Sequence, residues 1–157
     1  MPSGRYRQRC VAATVLLILV GTLAVSAVVA IVIVRRGRVR AQERLAEVPG
    51  PTLRSTAATS LGRESQRGDQ VRGTGTLVLT EAEVAFAQWR PDHLVRIPRS
   101  GIVEVDTTRS HLDKTMNHDL LRIRWATPDG EDTVAFFVRD LDPWLDDLGG
   151  TQEDAGP

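Results

Sequence analysis

The sequence predicts a single N-terminal transmembrane α-helix followed by a mainly-β domain, an antiparallel meander closed by a C-terminal helix. Three observations carry this reading. Residues 11–34 are apolar and carry no charge. Beyond residue 71, short β-branched runs alternate with turn residues at the spacing of a multi-stranded β-domain. The last apolar positions then change from a period of two to a helical period. The chain divides into an N-terminal basic tail (1–10), a transmembrane helix (11–34), a juxtamembrane basic segment with a flexible linker (35–70), a β domain with its helix (71–149) and a disordered tail (150–157).

The apolar run VAATVLLILVGTLAVSAVVAIVIV is 24 residues long. At helical rise it spans ~36 Å, enough for a hydrocarbon core of ~30 Å. Within lipid every backbone group must be satisfied internally, so a lone segment of this kind is helical. Arg5, Arg7 and Arg9 precede it, and Arg35, Arg36, Arg38 and Arg40 follow it. Arg9, Arg35, Arg36 and Arg38 are the flanks expected among the lipid headgroups. A cleaved secretory signal is the competing reading, since small residues stand at Ala24–Ala27. The run exceeds the ~7–15 residues of a signal core and meets a stop-transfer cluster of arginines. Cys10 stands before the run, where a lipoprotein cysteine would follow it. An uncleaved signal anchor in the plasma membrane is therefore expected, single-pass and in contact with the bilayer through this helix. Three arginines lie before the span and five after it, through Arg44, which places the C-terminal domain in the cytoplasm. Thr22, Ser26 and Ala30 recur at four-residue spacing, which would let two helices approach as a homo-oligomer. Small residues are also common in any membrane helix.

Residues 38–47 favour a helix, which Pro49-Gly50-Pro51 ends. From Thr52 to Gln70, Leu53 and Leu61 are the large apolar residues. Such a stretch buries too little surface to offset its conformational entropy and reads as a tether. Strands follow at 71–80, with Gly73 and Gly75 permitting a bend, and at 84–89, 94–98 and 102–107. In the last of these, Ile102, Glu104 and Asp106 face opposite to Val103 and Val105. A polar loop is expected over 108–118, then a strand at 119–127 in which Leu121, Ile123 and Trp125 oppose Arg122 and Arg124. Pro128-Asp129-Gly130 turns the chain back through 132–138. Asp142 is the expected N-cap, Pro143 the first helical residue and Gly149-Gly150 the stop. Leu141, Trp144, Leu145 and Leu148 form one apolar stripe suited to plugging the open end of a curved sheet.

Lysine plus arginine and aspartate plus glutamate each number 20, so the formal net charge is zero. That balance argues against nucleic-acid binding, which needs surplus positive charge. The zero is a sum of unlike parts. Residues 1–44 carry eight arginines against Glu43, and residues 71–157 carry nine basic groups against sixteen acidic ones. Cys10 is the one cysteine, so no intramolecular disulfide and no cysteine metal cluster can form. Lys114 is the one lysine, a bias that suggests a GC-rich bacterial genome.

The segments GTGTLVLTEAEVAF, HLVRIPRSGIVEV, LLRIRWATPDG and AFFVRDLDPWLDDL, in this order, resemble the pleckstrin-homology-like (PH-like, GRAM-like) fold of small membrane-anchored actinobacterial proteins. The resemblance covers Val71 to Gly149 and implies a PH-like domain of six to seven strands. The seventh strand is either absent or drawn from residues 52–70. Phosphoinositide-binding members of that family carry basic residues in the first hairpin loop. Here that loop is read as Thr80-Glu81-Ala82-Glu83, whose carboxylates would repel a phosphate.

No motif points to catalysis. His93, His111 and His118 lie farther apart than zinc ligands usually do, and read as solvated loop residues. Ser110, His111 and Asp113 are neighbours in one stretch, whereas triads are assembled in space from separate elements. GTGT at 73–76 precedes a strand and so lacks the helix dipole that binds phosphate. Neither catalytic residues nor a metal nor a cofactor is expected, and the chain is not expected to be an enzyme. Arg96, Arg99, Arg109, Lys114, Arg122 and Arg124 are the candidates for a basic face that meets a partner or lipid. The plainer reading pairs Arg122 and Arg124 with Glu104 and Asp106 across strands. Trp89 and Trp125 read as core. The expected role is protein binding, as an adaptor or accessory subunit with an unidentified protein partner and no nucleic acid. Sensing of an anionic membrane surface through the arginine face, or service in a transport or export complex, are the alternatives.

Overall fold

The computed structural model describes residues 4–66, 72–112 and 114–151. It divides into two compact units, residues 1–36 and 37–157. The first helix, α1 (Gly4–Leu45), begins inside the segment read as a basic tail, so residues 4–10 are helical. It contains a stretch from Ile18 long and apolar enough to cross a membrane. Between Ile18 and Val34 none of its apolar side chains is buried in protein, with Leu23 at 73% exposure, as a lipid-facing surface requires. Thr22 Oγ1 donates to the Leu19 carbonyl at 2.9 Å and Ser26 Oγ to the Thr22 carbonyl at 2.8 Å. Both hydroxyls are therefore satisfied on their own helix.

The second unit is a seven-stranded antiparallel sheet. Its strands are β1 (Thr52–Arg63), β2 (Gly73–Thr80), β3 (Glu83–Gln88), β4 (His93–Pro98), β5 (Ile102–His111), β6 (Lys114–Thr127) and β7 (Gly130–Val138), followed by helix α2 (Asp142–Leu148). The spatial order is β4-β3-β2-β1-β7-β6-β5. β1 is central and lies in the segment that composition assigned to the tether. It pairs with β2 through Thr56↔Leu77 and Ala58↔Gly75, and with β7 through Ala58↔Val138 and Ser60↔Phe136. Hydrophobicity misses this strand because, apart from Leu61, its contribution is the hydrogen-bonded ladder on both sides and not large buried groups. Its threonines suit a strand conformation.

Two further departures share a cause in β geometry. The polar stretch expected as a loop over 108–118 is mostly ladder, since Ser110↔Thr115 and His111↔Lys114 extend the β5–β6 hairpin. A register shift between Ile102 and Glu104 breaks the expected alternation. Ile102 and Val105 both pack on the core while Val103 is exposed, as one extra residue in a bulge dictates. The alternation of β6 is as expected: Leu121, Ile123 and Trp125 are all buried.

The core joins both halves of the sheet. Leu77, Leu79, Val84, Phe86, Val95 and Ile97 come from one half, and Leu121, Ile123, Trp125, Val134 and Phe136 from the other. The Phe86 and Phe136 rings meet at 5.0 Å and 50°, a favourable tilted pair across the junction. Trp144 and Leu145 of α2 are buried in this cluster, with Leu141 and Leu148 packed against it. The helix starts one residue earlier than read, with Leu141 at the cap position and Asp142 inside the first turn. There its carboxylate faces the positive end of the helix dipole. Gly149 adopts the left-handed conformation (φ 68°), and the Gly150 amide donates to the Leu145 carbonyl at 2.8 Å, closing the helix as predicted. Of the tail read as disordered (150–157), Gly150 closes the helix and the Thr151 amide donates to the Val105 carbonyl at 3.1 Å; residues 152–157 lie outside the described residues.

Candidate interaction surface

The arginines proposed as a basic face lie on β4 (Arg96), directly after it (Arg99), on β5 (Arg109) and on β6 (Arg122, Arg124), and each has a partner. Arg122 and Arg124 project from the same side of β6 and meet their direct cross-strand partners on β5, Asp106 and Glu104. Arg122 Nε donates to Asp106 Oδ1 at 2.7 Å and Arg124 Nη2 to Glu104 Oε2 at 2.6 Å. Arg109 Nε donates to Asp119 Oδ1 at 2.7 Å. Arg96, on β4, grips the buried Glu83 with two nitrogens, at 2.7–3.1 Å. Hydrogen bonding to Glu83 and its charge hold the Arg96 guanidinium above its ordinary value, with a smaller attraction from Glu47. Arg99 Nη2 donates to the Asp147 carbonyl at 2.9 Å, a cation placed at the negative end of α2. Arg54 of β1 reaches the same residue, with Nε 2.6 Å from Asp147 Oδ2. The Lys114 side chain lies outside the described residues. Of these arginines, Arg122 and Arg124 are matched by carboxylates directly across the strand pair.

The histidines lie on strands, His111 buried and His93 and His118 half-buried. His111 is buried, and its Nε2 lies 3.0 Å from the Gly62 carbonyl. A carbonyl only accepts, so Nε2 carries the hydrogen. The Nε2 atoms of His93 and His118 are enclosed without a hydrogen-bond partner. Among the described residues no three His, Cys, Asp or Glu side chains are grouped to hold a metal. Ser110 exchanges hydrogen bonds with Thr108, through its amide at 3.2 Å and its carbonyl at 2.9 Å; Asp113 lies outside the described residues. With β1 in the sheet, the first hairpin pairs β1 with β2, so the argument from Glu81 and Glu83 falls on the second, between β2 and β3. Of those two carboxylates, Glu83 is already neutralised by Arg96.

Two surfaces that sequence reasoning missed stand out. The first is a seat for the end of α1 on the β3–β4 turn. The Arg38 guanidinium lies 4.5 Å from the Trp89 ring centroid, and Arg44 Nη2 lies 2.6 Å from Asp92 Oδ2. Ala41 is fully buried between these positions. Gly37 is required here, because a Cβ would come within 2.8 Å of the Trp89 carbonyl oxygen. Arg38, read as a headgroup flank, is thus engaged by the domain. Trp89 is only partly buried, and its Nε1 donates to Thr76 Oγ1 at 3.1 Å. The helical spacing of 37, 41 and 44 was the available clue. The second surface surrounds Phe137 of β7, which is 38% exposed. Its ring lies 4.2 Å from that of His118, and open grooves flank it, one lined by Ala57, Thr59 and Thr74, the other by Arg139, Asp140 and Pro143.

No family model and no curated protein matches the chain. Among solved structures it is similar to the crystal structure of the C-terminal domain of an unknown protein from Leishmania infantum, at 16% identity and a TM-score of 0.47, covering 69% of this chain and 88% of that one.

Proposed function

We propose that the protein is a single-pass, membrane-anchored PH-like binding module, a non-catalytic adaptor or accessory subunit that meets a protein partner at the cytoplasmic face of the bacterial plasma membrane. The observation that carries this reading is the strand order β4-β3-β2-β1-β7-β6-β5 closed by α2, following a helix apolar enough to cross a membrane. The order fits the seven-stranded alternative of the PH-like resemblance, with β1 as the strand drawn from residues 52–70. A fold alone assigns no activity, so the reading also leans on the surface. An aromatic ring left exposed between open grooves is the kind of anchor that protein partners bury. The paired arginines weigh against an arginine face as the main contact.

A photo-crosslinking side chain at position 137, in the full chain in native membranes, tests this. A discrete protein adduct is expected from position 137 and not from the exposed Glu131 on the same strand. Adducts with lipid alone, or equal labelling from both positions, would sink the reading. A topology reporter fused after Pro157 should be active in the cytoplasm; an extracytoplasmic signal would overturn the placement.

A further inference from the structure

Arg38 and Arg44 belong by sequence to the basic groups that follow the apolar run, yet both are engaged by the β domain. Their contacts lie at the rim of the seat: Arg44 and Asp92 keep 39% and 37% of their side-chain surface exposed. The helix residue buried between them is small, Ala41, and Gly37 allows the close approach to Trp89. Besides these two guanidiniums, the segment is held by a weaker attraction of Glu47 for Arg96, over a small apolar surface. The same two guanidiniums are what an anionic surface attracts. Arg38 follows Val34 by four residues, about 6 Å of helix, within a headgroup layer of roughly 5–7 Å per leaflet. Arg44 is about 9 Å farther along, near one Debye length from that layer.

We infer that the seat is a latch sensitive to membrane charge. Anionic headgroups compete with Trp89 and Asp92 for Arg38 and Arg44, and so release residues 37–48 from the β3–β4 turn and uncover Trp89. The competition is between contacts of similar strength, so lipid composition sets the balance. This deepens the anchored-module reading by adding a regulator, and it rests on α1 spanning the bilayer.

The test uses the full chain in nanodiscs of phosphatidylcholine alone or mixed with phosphatidylglycerol, followed by amide hydrogen exchange. Each arginine drawn to the anionic surface should favour opening about fivefold. Amides 42–48 should therefore exchange roughly fivefold to thirtyfold faster in the anionic discs, while those of Leu121 and Ile123 stay protected. The double substitution Arg38→Gln and Arg44→Gln should abolish the lipid dependence. Gly37→Leu should open the seat in both lipids without loss of core protection. Equal protection of 42–48 in the two lipids, in a chain that resists alkaline extraction, overturns the latch alone. Extraction of the chain by alkali overturns the anchor and the latch together.

Discussion

The Asp132 carboxylate is 1% exposed and accepts hydrogen bonds from Ser65 Oγ at 2.7 Å, the Ser65 amide at 3.0 Å and Arg63 Nε at 2.7 Å. Burial alone would push its pKa up. The Ser65 bonds and Arg63 outweigh burial and hold the carboxyl below its ordinary value. A depressed folded-state pKa contributes stability that is full above the unfolded value, about 3.9, and is lost as pH falls through the folded one. Urea unfolding midpoints should therefore drop below about pH 4, and Asp132→Asn should flatten that slope. Parallel slopes for the two proteins would refute the assignment. Asp132→Ala should cost about 3 kcal/mol at neutral pH, the low end for a broken buried pair because Arg63 remains partly exposed. No sequence pattern signalled this network, because Ser65 and Asp132 are 67 residues apart and meet only after β1 and β7 pair. The Asp106–Arg122 and Glu104–Arg124 pairs were legible, because their strands carry alternating charges of opposite sign whose pairing needs only a register.

At the scale of the element, α2 was legible and β1 was not, for one physical reason. A helix that docks by its apolar stripe advertises itself through large residues at helical spacing, as Trp144, Leu145 and Leu148 do. A central strand of threonine, serine and alanine is held by backbone bonds that any sequence can make, so composition reads it as a tether. The stripe predicts unequal costs around α2. Trp144→Ala should destabilise the domain by about 3–5 kcal/mol through lost burial and a cavity. Asp146→Ala, on the exposed side of the same helix, should change it by less than about 0.5 kcal/mol. Chemical denaturation of the two variants decides this, and equal effects would show that the stripe does not plug the sheet. The Phe137 surface was hidden for the opposite reason. AFFV reads as a continuous apolar run, and only the register places Phe136 in the core and Phe137 outside.

For the whole molecule, the question is where the folding unit begins. Turn spacing put the start near residue 71, but a fragment of residues 71–157 lacks β1, which lies between β2 and β7. Removing it unpairs one edge of each neighbour, leaves Asp132 without Arg63 and Ser65, and frees Asp147 from Arg54. Two half-sheets with bare apolar edges are a template for aggregation, not a smaller stable domain. Residues 71–157 are therefore expected to be unfolded or aggregated, and residues 49–157 to fold with dispersed amide resonances. Extending the fragment back to residue 37 restores the Arg38–Trp89 and Arg44–Asp92 contacts. It should add about 1–2 kcal/mol, the sum of one exposed cation–π contact and one exposed ion pair. A cooperative unfolding transition from residues 71–157 would show that β1 is dispensable. Equal stability of the two longer fragments would show that the helix end contributes nothing to the domain. The boundary matters for the proposed latch as well, because only the longer fragment holds Arg38 and Arg44 together with the β3–β4 turn that they contact.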